Sequence, residues 1–148
     1  MFRQTATSWK SSSPNAGRKL NVSESVLDAS VLIAVLKNEQ LNDDVLDVID
    51  GAVISAVNYA EVWTKVYDLG LTHAPRTREA LSLLGRVEPF TESQALLAAN
   101  LRRTTRQAGL SLGDRACLAL ALELGAEVYT ADRQWSNIRV GCAIHLIR

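Results

Sequence analysis

Four acidic residues in this chain stand where a parallel α/β sheet would gather them on one edge. Asp28 ends the apolar stretch of VLDAS, Glu61 lies in SAVNYAEV, Asp114 opens a long apolar segment in SLGDRACLALA, and Asp132 follows directly on VYT in YTADRQW. Carboxylates sharing one cleft repel: at about 5 Å and an effective dielectric near 20, each like-charged pair costs roughly 3 kcal/mol. Without compensation, protonation follows. A hard divalent cation removes the conflict, because Mg²⁺ and Mn²⁺ favour carboxylate oxygens and water as ligands. Such a centre can activate water beside a phosphodiester and neutralise charge in the transition state. The positive ends of nearby helices would help hold carboxylates and phosphate.

Each acid also has a purely local explanation. Asp28 suits a turn at a strand end, and Asp132 a helix N-cap. Ser111-x-x-Asp114 and Asn58-x-x-Glu61 have the spacing of capping boxes, in which the acid reaches back to the cap N–H. Glu61 can also pair with Lys65 one turn on, for roughly 0.3–0.5 kcal/mol. Taken singly, these explanations compete well. They weaken together, because all four acids fall at strand ends or helix starts of one alternating pattern.

That pattern begins at Ser25. A strand is expected over Val26–Asp28, then helices over Ser30–Lys37 and Asn42–Ile49. Strand Val53–Ser55 leads into a helix over Asn58–Leu69, stopped by Gly70. Pro75 opens a helix through Leu84, followed by strand Val87–Phe90 and a long helix over Glu92–Gln107. Ser111 starts another helix ending at Gly125. Strand Glu127–Thr130, a helical turn over Arg133–Asn137 and strand Ala143–Ile147 complete the chain. Strands separated by helices imply a parallel sheet covered on both faces. In such sheets ligands bind beyond the carboxyl ends of the strands.

The 148 residues carry sixteen bases and sixteen acids. That balance excludes a broad basic surface for nucleic acid, but it sums unlike parts. Residues 1–23 hold four bases and no acid, and read as a flexible or non-native extension ahead of one domain over 24–148. The domain has twelve bases against sixteen acids, a surplus equal to the four proposed site carboxylates. No apolar run approaches the roughly 18 residues of a membrane span. Cys117 and Cys142 form no metal-ligand pattern, and a reducing, cytoplasmic setting is expected. His73 and His145 are not spaced for a metal set or triad, and no Gly-rich phosphate loop occurs.

Position suggests supporting residues. Ser30 is either a helix N-cap or a partner for a metal water or phosphate, and Thr130 beside Asp132 is open to the same two readings. Arg115 and Arg133 adjoin site acids and could meet substrate phosphates near the metal; otherwise they are solvated or pair with carboxylates. Arg102, Arg103 and Arg106 form a solvated helix face, or else a nucleic-acid or partner contact. Trp63 and Tyr67 suggest a stripe packed in a core or interface. Trp135 pins the turn after Asp132, or stacks on a base.

The ordered series VLDASVLIAVL, NYAEV, GLSLGDRACLALAL and VYTADRQW resembles PIN-domain ribonucleases, and most closely the VapC toxins of bacterial toxin–antitoxin pairs. The resemblance covers about residues 25–148. It implies a three-layer α/β/α fold with a parallel five-stranded sheet in the order 3-2-1-4-5. It also implies a Mg²⁺ or Mn²⁺ site at Asp28, Glu61, Asp114 and Asp132, endonucleolytic RNA cleavage that leaves a 5′-phosphate and a 3′-hydroxyl, and inhibition by a cognate VapB-like antitoxin. A homodimer through the 58–69 and 75–84 helices is suggested. The N-terminal extension departs from compact members of the family. Two rivals come from other classes. One is a catalytically inactive PIN-like binding module, against which the complete acid set counts. The other is a receiver-type phosphoacceptor, which needs a lysine after a late strand; none follows Lys65.

Overall fold

The computed structural model describes residues 24–148, so the expected 1–23 extension lies outside the described residues. Five short strands form one wholly parallel sheet: β1 (Ser25–Leu27), β2 (Val53–Ser55), β3 (Arg86–Glu88), β4 (Glu127–Thr130) and β5 (Ile144–Leu146). Their order is β3-β2-β1-β4-β5, as expected. Six helices intervene: α1 (Ala29–Leu36), α2 (Val45–Ile49), α3 (Ala56–Asp68), α4 (Pro75–Ser82), α5 (Glu92–Thr105) and α6 (Leu112–Leu124). A 3-10 turn over Arg133–Asn137 joins β4 to β5.

The period-2 alternation of the strands sorts the core into two layers. Leu27 and Ile54 face α1 to α4, with Val31, Leu32, Leu36, Val62, Val66 and Ala80. Val26, Val53 and Val128 face α5 and α6, with Ala98, Leu101, Leu118, Leu120 and Trp135. The three-layer α/β/α arrangement is therefore observed. The chain runs outward from β1 to β3 and then returns across the sheet to β4. Its direction of winding reverses between β1 and β4, where a crevice opens at the strands' carboxyl ends.

Several boundaries differ from expectation, for local reasons. β1 stops at Leu27, and Asp28 takes the N-cap position of α1 while its N–H still donates to Tyr129 O at 2.9 Å. The α2 helix begins three residues later than expected, and the Asn42 N–H is bonded to Ile147 O. β3 covers Arg86–Glu88 rather than Val87–Phe90, ending ahead of Pro89, which has no N–H to donate. The α3 helix starts at Ala56, two residues early, because Ser55 caps it: Ser55 Oγ accepts from Val57 N at 3.2 Å. Gly85 lets two turns meet, since a Cβ there would stand 2.5 Å from Gly51 O.

Among the described residues no helix is long and apolar enough to cross a membrane. Cys117 is buried and free, and burial holds its thiol well above the ordinary range.

Candidate functional site

Asp28, Glu61, Asp114 and Asp132 all line one cavity of about 510 Å³ at the crevice between β1 and β4. Four separate segments deliver them. Asp28 follows β1, and Asp132 follows β4. Asp114 sits in the first turn of α6, and Glu61 in the second turn of α3 rather than its first.

Each carboxylate has one oxygen engaged by the protein. Asp28 Oδ2 accepts from Ser30 Oγ at 2.5 Å and Thr130 Oγ1 at 3.0 Å. Glu61 Oε2 accepts from the Asn58 amide at 3.0 Å. Asp114 Oδ2 accepts from Ser111 N at 2.9 Å, and Ser111 Oγ accepts from Asp114 N at 3.1 Å, a complete capping box. Asp132 Oδ1 accepts from Gln134 N at 2.9 Å and caps the 3-10 turn. Among the described residues the second oxygen of each acid has no protein donor. For Asp114 and Asp132, capping and site chemistry are therefore not alternatives: one oxygen caps and the other remains available.

The electrostatics record the crowding. Burial pushes Asp28 up to about 6; the Ser30 and Thr130 hydroxyls oppose this, and the charges of Asp114 and Glu61 add to it. Glu61 is raised by desolvation and by Asp114, against the Asn58 hydrogen bond. Asp114 is raised by desolvation and by Asp132, against Ser111 and Arg115. Among the described residues no arginine or lysine forms an ion pair with any of the four, including the expected Glu61–Lys65 pair.

The donor set suits a hard divalent cation: all oxygen, anionic, and with one oxygen on each acid free. Among the described residues, however, no three Asp, Glu, His or Cys side chains form a ready-made ligand group. The fit lies in donor chemistry and shared cavity, not in a preset ligand cage.

The supporting residues require correction. Ser30 does not cap α1; it lines the cavity, and its hydroxyl donates to Asp28 and accepts from Ala131 N at 2.8 Å. Thr130 is fully buried, donates to Asp28 and accepts from Asp132 N at 3.1 Å, so it braces two acids and is closed to substrate. Arg115 turns to α5, where it donates to Ala98 O at 2.9 Å, and neither it nor Arg133 lines the cavity. Trp135 is fully buried, which rules out stacking on a base in this conformation. Trp63 is half-buried between Tyr59 and Tyr67, but Tyr67 itself is 66% exposed. Arg102, Arg103 and Arg106 lie exposed on or just after α5.

Sequence reasoning missed several lining residues. Arg148 donates through Nε to Ala131 O at 3.0 Å, beside Asp132, and pairs with Glu39, which lies 3.8 Å from Lys37 Nζ. Lys37, Lys65 and Arg148 thus supply cations to the cavity wall. No sequence spacing links residues 37 and 148; only the sheet brings them together. Asn58 has the spacing of a cap residue, yet it is fully buried and donates to Glu61 and to Gly113 O, both at 3.0 Å. Gly113 is tied to the same point, for a Cβ there would overlap the Glu61 carboxylate, with Cδ only 2.8 Å away.

A doubly covered parallel sheet with acids clustered at its switch point defines a class of α/β proteins that bind ligands at the strand ends. The particular family follows from the sequence: the family model of the PIN domain matches residues 25–141, and this chain belongs to that family. No curated protein sequence matches the chain significantly. Similar solved structures include a toxin–antitoxin complex from Klebsiella pneumoniae, at 21% identity and TM-score 0.59, covering 82% of this chain and 100% of that one. VapBC2 from Rickettsia felis, bound to a DNA fragment from its promoter, has 17% identity and TM-score 0.60, with 84% and 98% covered. VapC20 from Mycobacterium tuberculosis, a sarcin-ricin loop cleaving toxin, has 16% identity and TM-score 0.59, with 81% and 99% covered. At these identities the likeness is one of fold.

Proposed function

We propose that this protein is a Mg²⁺- or Mn²⁺-dependent endoribonuclease, the toxin of a type II toxin–antitoxin pair. One observation carries the reading: four carboxylates from four separate segments line one cavity, each with an oxygen left free. Asp28, Glu61, Asp114 and Asp132 would hold the cation. When bound, it supplies charge neutralisation at the phosphodiester and makes water a competent nucleophile. Ser30 and Thr130 fix the Asp28 carboxylate, so its free oxygen has one orientation. Ser111 does the same for Asp114. Lys37, Lys65 and Arg148, rather than Arg115 and Arg133, stand where RNA phosphates would enter. Water attacks phosphorus in line, leaving a 5′-phosphate and a 3′-hydroxyl.

A VapB-like antitoxin is the proposed inhibitor; the similar solved structures include toxin–antitoxin complexes. A homodimer is also proposed, because Tyr67 and Leu69 expose apolar surface at the end of α3 that a second copy would cover. The test is incubation of the purified protein with RNA and Mn²⁺, followed by sequencing of the new 5′ ends. Discrete cuts bearing 5′-phosphates, absent with Asp28→Asn, are expected. RNA left intact under every divalent-metal condition would overturn the reading in favour of an inactive PIN-like binding module.

A further inference from the structure

Glu61 has the longest and most flexible side chain of the four acids, and α3 alone does not aim it. On an isolated helix it would sample several rotamers and meet Lys65 one turn on. In the folded protein Asn58 intervenes. It lies one turn before Glu61 on α3, is fully buried against α6, and donates one amide hydrogen to Glu61 Oε2 and the other to Gly113 O. Both partners are acceptors, so the orientation of the amide is fixed by chemistry: its nitrogen must face them. Its own Oδ1 is buried without a partner.

Gly113 completes the arrangement from the other side. It is buried in the first turn of α6, next to Asp114, and its missing Cβ is the space that the Glu61 carboxylate occupies. We propose that Asn58 is a positioning residue that, with Gly113, locks Glu61 of α3 to the start of α6, so that Glu61 and Asp114 face the cation together. The inference rests on the reading of the cavity as a cation site. Asn58 touches neither cation nor substrate in it; it acts through Glu61 and the Gly113 carbonyl. Because the two acids come from different helices, this clamp is the side-chain link that fixes their relative placement.

The test is Mn²⁺ affinity by titration calorimetry, with cleavage assayed over a range of Mn²⁺ concentrations. Asn58→Leu keeps the branching and heavy-atom count of the side chain and removes both hydrogen bonds. Gly113→Ala pushes on Glu61 from the opposite side, and alanine is the better helix former, so helix propensity does not weaken the fold. Val66→Ala, a core truncation on the same helix, lowers the melting temperature without touching the clamp. Asn58→Leu and Gly113→Ala are expected to weaken Mn²⁺ binding about 10–100-fold, with most of the cleavage rate restored at saturating Mn²⁺. Val66→Ala should bind Mn²⁺ as the wild type does. Wild-type affinity in both clamp variants, or equal weakening in Val66→Ala, overturns the inference while leaving the cation site intact. If Asn58→Leu does not fold, Gly113→Ala decides alone. A wild-type protein that binds no Mn²⁺ removes the functional reading itself, and the inference with it.

Discussion

Two regions of this molecule treat carboxylates in opposite ways. Beside the outer strand β3, Arg86 grips Glu24 with two hydrogen bonds, at 2.8 and 3.1 Å, and Glu88 at 2.5 Å. The arginine holds the Glu24 carboxyl below its usual range. In the crevice between β1 and β4 the acids have hydroxyls, amides and one another, and three of them are held above their usual range. The first group is at rest with its charge. The second tolerates charge that the fold does not neutralise, which is what singles the crevice out as the candidate site.

The largest expected effect comes from removing one charge in the crevice. Asp28→Asn should reduce cleavage about 10³-fold or more, since a bound cation supplies several kcal/mol to the transition state. The same change should stabilise the metal-free protein, by up to about 3 kcal/mol for a carboxyl moved from 3.8 to about 6. Loss of activity with a gain in melting temperature is the expected signature, measured by cleavage assay and thermal melting. An active, destabilised Asp28→Asn would break the contrast between the two regions. Asp114→Asn should lose cleavage too, but it also loses the capping carboxylate, so the stability gain should be smaller.

Acidity gives the next largest effect. The folded protein holds the Asp28 proton to about pH 6, whereas the unfolded chain releases it near 3.8. The native state therefore binds more protons between these values, and stability falls as pH rises through them, by about 3 kcal/mol in all. Urea titrations from about pH 4 to about pH 7 without metal should show this decline in the wild type and a flatter profile in Asp28→Asn. Mn²⁺ at a hundred-fold excess over its Kd should return about 2.7 kcal/mol near neutral pH. Its benefit should shrink near pH 5, where protons compete for the same oxygens. Melting temperature that ignores Mn²⁺ at every pH would sharpen the contrast differently: the crevice would be charged but not a cation site.

The alternation of strands and helices made the parallel sheet and the shared edge of the acids legible together, while the strand order was implied by the family resemblance. Asp28 and Asp132 follow strands, Asp114 opens α6 and Glu61 lies one turn into α3, and a parallel sheet brings such positions to one edge. What escaped depends on distant contacts. Asn58 has the spacing of a cap residue, and only the approach of α6 reveals that it faces Gly113. Gly113 reads as a small residue at a helix start until Glu61 is seen in the space of its missing Cβ. Arg148 and Lys37 meet through Glu39 across almost the whole described chain. Arg115 misled because adjacence to Asp114 in sequence does not fix direction, and its guanidinium follows the Ala98 carbonyl instead. Trp135 sits beside the site acid Asp132, but its indole is fully buried.

The smallest expected effect belongs to the paired region. Arg86→Ala removes a bidentate contact, yet Arg86 and Glu24 are well exposed, so water and salt replace much of what is lost. A cost of about 0.2–1 kcal/mol is expected by urea denaturation, fading at high salt. Its pH dependence should carry the opposite sign to that of Asp28. The Glu24 pKa is lowered in the folded state, so its contribution is present near neutral pH and disappears as pH falls through that lowered value. Cleavage and Mn²⁺ affinity should be unchanged, because β2 and β1 lie between Arg86 and the crevice. If Arg86→Ala altered Mn²⁺ affinity, the field of the paired acids would reach the site across the sheet. The crevice acids would then owe part of their raised pKa values to charges beyond the cavity, and the contrast between the regions would be one of degree.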